Sequence, residues 1–269
     1  SQKERHFLTD QHFWDLVIET WIQIEFPNET KSLWLDIFTS IQPQGDILIA
    51  QDTRPHGKEL YEVICKKIIS KGRNVISCGI IPTPTAQFII KDKNLAGGIV
   101  ITASHNPIEW NGLKFLDSDG CFLNAYKMNL LLSGNPNINK TKKGKIIEYK
   151  KSYLNHISNI LNLNCIQTKE IKKKKFKVVV DTVNGAAFSV LPLLLEQLNC
   201  EVIKIHCDNT GNFPRGTEPI PAHLSDLANT VYKEKADIGF ATDPDGDRLA
   251  IVDNKGLPIG EESTLILAV

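Results

Sequence analysis

Charge of one sign is what this sequence most plainly lacks: across 269 residues, 31 Lys and Arg face 31 Asp and Glu, for a formal net charge of zero. That balance removes the electrostatic case for nucleic acid or an anionic membrane as the main partner. No run approaches the ~20 apolar residues a membrane helix needs. The first residues, SQKERHFLTD, lack the apolar centre of a secretory signal. No CxxC pair occurs. The six cysteines, at 65, 78, 121, 165, 200 and 207, read as reduced, mostly buried small side chains of a cytoplasmic protein, and their spacing disfavours zinc. No G-x-S-x-G elbow is present to make a serine hydrolase. The lysines at 140, 142, 143 and 145, and at 172 to 175, have no aromatic residues between them and read as solvated linker surface.

What is present is an ordinary globular chain. An apolar share of 42% is enough for a core, and the length suits about two domains. QHFWDLVIETWI (11–22) has helical spacing. A strand over 45–52, a helix over 57–72, a strand over 74–81, a helix over 83–94 and a strand over 97–102 follow, and then a hairpin over 111–123 turning at SDG. The pattern then restarts: strand 177–183, helix 189–199, strand 200–207, helix 222–235, strand 236–243, and a hairpin over 248–259 turning at NKG. Such alternation predicts α/β layers with a largely parallel sheet and an antiparallel edge, in two structural repeats of unlike sequence. In each repeat a polar loop follows the third strand, ASHNP in one and TDPDGDR in the other. Sites in open α/β sheets form beyond the carboxyl ends of strands.

ATDPDGDRLAIVD (241–253) sets Asp243, Asp245 and Asp247 at alternate positions, with Arg248 next. Carboxylates this close repel, and a divalent cation relieves the repulsion. All-oxygen acidic ligands favour Mg²⁺. A solvated Asp-rich turn is the plainer alternative. An EF-hand is excluded, because its sixth and twelfth positions would be Arg248 and Asn254 rather than Gly and Glu. A DxDx[TV] phosphatase would want Thr or Val at Asp247. A cation there keeps positive charge to meet a phosphate, which Ser104 of TASHNP would carry as phosphoserine. Pro107 biases Asn106 to an extended conformation, so Ser104, His105 and Asn106 project from a stiff corner. The alternative is a Ser/Asn turn with a satisfied histidine. Adjacent Ser and His do not make a triad by themselves.

GIVITASHNPIEWNGLKF together with DPDGDR resembles the α-D-phosphohexomutases, the phosphoglucomutase/phosphomannomutase superfamily. QDTRPHG (51–57), VVVDTVNGA (178–186) and PIGEESTLILAV (258–269) add to the match. The resemblance implies two consecutive three-layer α/β/α domains with mixed, mostly parallel sheets. Residues 1–150 would be domain I, 151–257 domain II and 258–269 the start of domain III of a four-domain enzyme. By position, Ser104 matches the phosphoserine, and Asp243, Asp245 and Asp247 match the Mg²⁺ ligands, with an oxygen of phosphorylated Ser104 as another. Arg54 and Arg248 match arginines beside the phosphoserine, and His105 and Lys114 match residues of binding and proton transfer. Arginines there would grip phosphate oxygens, and a lysine near Mg²⁺ and Arg would have a lowered pKa. The implied partners are a hexose phosphate and a hexose 1,6-bisphosphate, with glucose and mannose ahead of glucosamine because phosphoglucosamine mutases more often show D-G-D-G-D-R. The Gly-Ile-Arg-Gly loop that usually begins these proteins is absent, as are the sugar-reading and phosphate-clamping loops of domains III and IV. RGTEP (215–219) superficially matches the clamp pattern R-x-S-G-T-E-P, but it lacks the serine and is expected to be a connecting loop. With those loops missing, the chain by itself is expected to turn over little, and a non-catalytic metal- and phosphosugar-binding module is the other reading.

Overall fold

The computed structural model describes residues 28–134, 143–259 and 264. The helix expected over 11–22, and the lysines at 140 and 142, lie outside them. The first unit runs α1 (Asn28–Ile41), β1 (Ile47–Gln51), α2 (Gly57–Ser70), β2 (Val75–Ile80), α3 (Thr83–Asp92), β3 (Gly97–Ile101), β4 (Leu113–Leu116), α4 (Ala125–Ser133) and β5 (Ile146–Glu148). Its sheet order is β4-β3-β1-β2-β5, parallel except for the β3–β4 pair. Period-two alternation splits β1 between two cores. Ile47 and Ile49 join Phe38, Ile64, Ile68 and Phe115 on one face, while Leu48 and Ala50 join Ile89, Ile90 and Val100 on the other. Helices on both faces make three layers. α3 lies so close to β3 that a Cβ on Gly98 would stand 2.7 Å from Ile90 Cδ1, so any larger residue there would push the Ile90 tip aside.

Next come α5 (Tyr153–Leu161) and α6 (Thr168–Lys174). α5 leans on the first unit, where His156 stacks on Phe88 with centroids 4.7 Å apart and bonds Thr85 at 3.0 Å. Lys172 to Lys175 belong to α6 and its cap and are exposed, so this cluster is a helical surface rather than a linker. The second unit is β6 (Lys177–Asp181), α7 (Val190–Gln197), β7 (Glu201–Ile205), a short 3-10 turn (Pro221–His223), α8 (Ser225–Glu234), β8 (Ile238–Thr242) and β9 (Leu249–Val252). Its order is β7-β6-β8-β9, again parallel except for the last pair. Val178 and Val180 pack toward the α7 side, and Val179 packs with Leu227 and Val231 of α8 on the other. Setting β1, β2, β3 and β4 against β6, β7, β8 and β9 gives one topology twice; β5 is the first unit's addition.

The stretch 111–123 is less of a hairpin than its sequence predicts. β4 pairs with β3, and the return arm touches β4 only through the Leu116–Phe122 bridge. The open edge of β3 offers β4 a longer ladder, and all four residues of β4 are buried. The thiols also depart from expectation. All six are free, but only Cys65 and Cys78 are buried; Cys121 and Cys165 are exposed because they sit in a turn and a loop rather than in apolar runs. Among the described residues no helix is long and apolar enough to cross a membrane.

Candidate active site

In both sheets the chain reverses direction across the sheet between the first and third strands, and ligands settle at such switch points beyond the carboxyl ends. In the first unit, Asp52 and Arg54 follow β1 and Ser104 follows β3. Ser104 has φ 47°, in the left-handed region that side chains other than glycine's rarely adopt. It is held there from two sides. Its N–H donates to Thr102 Oγ1 at 2.8 Å, and the Thr102 hydroxyl donates to Asp52 Oδ2 at 2.7 Å. From the other side, Arg54 Nη2 donates to the Ser104 carbonyl at 2.7 Å.

Arg54 has no donor left over. Its Nε bonds Asp52 Oδ2 at 3.0 Å, Nη2 also reaches the Asn106 carbonyl at 2.7 Å, and Nη1 reaches the carbonyls of Pro107 and Trp110. These bonds fix the whole corner that carries Ser104, His105 and Asn106. Burial pushes the Asp52 carboxyl up to about 6 against the opposing charge of Arg54, so near neutral pH the buried pair is largely ionised.

The second unit delivers its loop from β8. Asp243 Oδ1 accepts the N–H groups of Asp247 and Arg248 at 3.1 Å each, which curls the loop round its own first carboxylate. Asp243, Asp245 and Asp247 bring one carboxylate oxygen each within 4.8 Å of one another. Burial and then the neighbouring Asp245 and Asp247 push Asp243 well above the usual carboxylate range.

The two loops meet. Ser104 Oγ donates to Asp243 Oδ2 at 3.2 Å, and both side chains are buried. Lys114, on β4, reaches Asp245 Oδ2 at 2.9 Å and Asp247 Oδ2 at 2.8 Å. Thr83 opens α3, and its hydroxyl also donates to Asp245 Oδ2 while its N–H bonds the Asp245 carbonyl. Burial alone would raise the Asp245 pKa, but Lys114 and Thr83 outweigh it and hold the carboxyl below the usual value. Burial alone would lower Lys114, but Asp245 and Asp247 outweigh it and hold the ammonium above its usual value. Asp245 Oδ1 is buried with no hydrogen-bond partner. An orphaned carboxylate oxygen within a crowded acidic cluster suits a hard divalent cation, so the residues fit Mg²⁺.

The other expected residues take separate places. His105 is half-buried beside Ser104, and its carbonyl accepts the Thr217 hydroxyl. Arg248 pairs with Glu218 at 2.9 Å. RGTEP is a connecting loop as expected, between β7 and α8, yet it reaches the site, which its pattern did not foretell. The sequence assigns no separate role to Thr83, Asp52 or Asp181, although Asp52 lies in QDTRPHG and Asp181 in VVVDTVNGA. The TPT helix start was visible at Thr83, but nothing in the sequence tied it to a loop 162 residues away.

Two family descriptions fit the chain. Residues 22–134 match phosphoglucomutase/phosphomannomutase, alpha/beta/alpha domain I, and residues 151–256 match its alpha/beta/alpha domain II. The chain belongs to the phosphoglucomutase/phosphomannomutase family. A phosphoglucomutase/phosphomannomutase of Thermococcus kodakarensis is 35% identical over 82% of this chain and 49% of its own length. A phosphoglucosamine mutase of Nautilia profundicola is 35% identical over 79% and 48%. A solved phosphoglucomutase/phosphomannomutase family protein of Burkholderia thailandensis superposes with a TM-score of 0.72 and 26% identity, covering 92% of this chain and 56% of that one. The chain thus spans about half the length of the curated family relatives it matches.

Proposed function

We propose that this chain is the nucleophile- and metal-bearing portion of a phosphohexomutase that interconverts hexose 1-phosphate and hexose 6-phosphate through phosphorylated Ser104. The observation that carries the reading is the 3.2 Å approach of Ser104 Oγ to Asp243 inside the three-carboxylate cluster. A serine hydroxyl facing three crowded carboxylates is suited to carry a phosphate that a cation then shares with them. As a phosphate carrier it places a dianion where those carboxylates would hold Mg²⁺, with Ser104 as a further ligand through its phosphate.

Mg²⁺ bound by Asp243, Asp245 and Asp247 supplies charge neutralisation for the phosphoryl oxygens. The protein's own groups do the rest. The bond from phosphorus to Ser104 Oγ breaks as one forms to a sugar hydroxyl, and the bisphosphorylated sugar returns its other phosphoryl group to Ser104 Oγ. Lys114 exchanges the sugar hydroxyl's proton once Asp245 and Asp247 serve as ligands rather than as its counter-ions. His105 and Arg248 face the sugar phosphate. Arg54, its donors spent on carbonyls and Asp52, positions the Ser104 loop instead of gripping phosphate. Glucose or mannose phosphate is our first substrate. Glucosamine phosphate is the second, supported by relatives named for both. Six free thiols support a reducing, cytoplasmic setting.

The test is peptide mapping of the full-length protein after incubation with glucose 1,6-bisphosphate and Mg²⁺. One phosphate on Ser104, and none on the Ser104→Ala variant, with mutase turnover lost in that variant, is the expected result. Normal turnover in Ser104→Ala would move the carrier elsewhere. Turnover with glucose, mannose and glucosamine phosphates compared side by side assigns the sugar.

A further inference from the structure

The loop from β7 to α8 does more than connect. Within it Arg215, Thr217 and Glu218 each grip a different part of the site. Arg215 Nε donates to the buried Asp181 carboxylate at 2.9 Å, and its Nη2 donates at 2.7 Å to the carbonyl of Thr242, the residue before Asp243. The Thr217 hydroxyl donates to the carbonyl of His105, the residue after Ser104. Glu218 pairs with Arg248 at 2.9 Å. Upstream in the same loop, the Phe213 ring lies 5.1 Å from the Arg54 guanidinium, under the corner that carries Ser104.

The loop is built to stay there. His223 Nδ1 bonds the Glu218 carbonyl at 2.8 Å. Gly216 lets that ring close over the backbone, since a Cβ there would stand 2.1 Å from the imidazole. Asp181 is itself fixed by the Val183 N–H at 2.8 Å and by His206 Nδ1 at 3.0 Å. A run of four residues thus joins a loop of one sheet to a loop of the other, with its own footing in the second sheet.

We infer that residues 215–218 form a clasp that sets Ser104 against Asp243, with Thr217 its positioning residue on the nucleophile side. This rests on the phosphomutase reading. Thr217 touches no reacting atom. It acts through the His105 carbonyl, and a displacement of about 1 Å at a reacting centre costs on the order of 10²-fold in rate. A partial loosening therefore shows as a loss in rate rather than in affinity.

The experiment measures the rate at which glucose 1,6-bisphosphate phosphorylates Ser104 in the full-length protein, with Mg²⁺ affinity and Tm taken alongside. Thr217→Val keeps the shape and removes the donor; Thr217→Ser restores it. The clasp predicts a phosphorylation rate about 10-fold lower in Thr217→Val, recovery in Thr217→Ser, and unchanged Mg²⁺ affinity and Tm in both. A wild-type rate in Thr217→Val overturns the clasp alone. So does a loss that follows Tm, or one that Thr217→Ser does not rescue. A wild type that takes no more phosphate than Ser104→Ala overturns the phosphomutase reading, and the clasp with it.

Discussion

The two units solve one problem with one device and different parts. Each must hold the loop after its third strand at the switch point of its sheet. Each does so with an aspartate at or just after the end of the first strand, an arginine bonded to it through Nε, and that arginine's Nη2 on a carbonyl at or beyond the end of the third strand. In the first unit these are Asp52, Arg54 and the Ser104 carbonyl; in the second they are Asp181, Arg215 and the Thr242 carbonyl. Even the N–H two residues after the aspartate bonds its Oδ1 in both, from Arg54 at 3.0 Å and Val183 at 2.8 Å. What differs is where the arginine comes from. Arg54 lies two residues after Asp52 and spends every donor on its own unit. Arg215 lies 34 residues after Asp181, on a loop that goes on to touch the other unit. The first device fixes a corner; the second fixes a corner and joins it to its counterpart.

Electrostatics separates them further. Asp52 has one cationic partner and is pushed up by burial. Burial pushes Asp181 up too, but His206 and Arg215 outweigh it and hold the carboxyl below its usual value. The largest expected effect follows. Arg54→Ala strips the buried Asp52 of its ion-pair partner and leaves four loop carbonyls without their donor, a loss of about 3–5 kcal/mol. Arg215→Ala leaves His206 on Asp181, and the expected loss is about 1–3 kcal/mol. Urea unfolding of both variants checks the order, and equal losses would break the comparison.

A smaller effect sharpens the division of labour between the two loops. Asp245→Asn, in the second unit's loop, should weaken Mg²⁺ binding by about 10-fold or more and slow phosphoryl transfer, because it removes one anionic ligand. Asp52→Asn, in the first unit's anchor, should lower stability and leave Mg²⁺ affinity nearly unchanged. Calorimetric Mg²⁺ titrations of the two variants give the answer. Unchanged affinity in Asp245→Asn would remove the cluster from metal binding.

The smallest effect is a pH dependence. The Asp181 contact raises His206 above its usual 6.5, so the folded protein binds that proton more tightly than the unfolded chain. The stability it adds is whole below pH 6.5 and lost as pH rises through the raised value. The urea midpoint of the wild type should therefore fall between about pH 6 and about pH 8.5 by more than that of His206→Gln. Parallel curves would show that His206 adds nothing to the Asp181 anchor.

Except for β5, the strands were legible because they are short apolar runs bounded by turn residues, as ILIAQ and KVVVD are. Their alternation with helices gave the parallel sheets and the antiparallel edges. The Ser104 corner and the Asp243 loop stood out because polar residues end apolar strands there. α1, α4, α5 and α6 did not. α4 leaves Tyr126 exposed, α5 leaves Leu154 exposed, and α1 leaves Leu33 exposed, so apolar spacing blurs the buried stripe. The anchors were hidden for another reason. Asp181 and Arg215 are 34 residues apart and Thr217 and His105 are 112 apart, and only the folded sheets bring them together. The contacts of Lys114 were likewise invisible, because its two carboxylate partners come from the other unit.

In the proposed mechanism, Ser104 of one unit and the three aspartates of the other share one Mg²⁺ and make a single site. The most direct test is the Mg²⁺ affinity of the full-length protein with Ser104 unmodified and with Ser104 phosphorylated, by calorimetric titration. A phosphate held beside Asp243 adds anionic oxygen to the same cation, so phosphorylation should tighten Mg²⁺ binding by about 10-fold or more, and Mg²⁺ should protect the phosphate by the same coupling. Equal affinity in the two forms would contradict the account, since the phosphoserine and the three aspartates would then be separate sites.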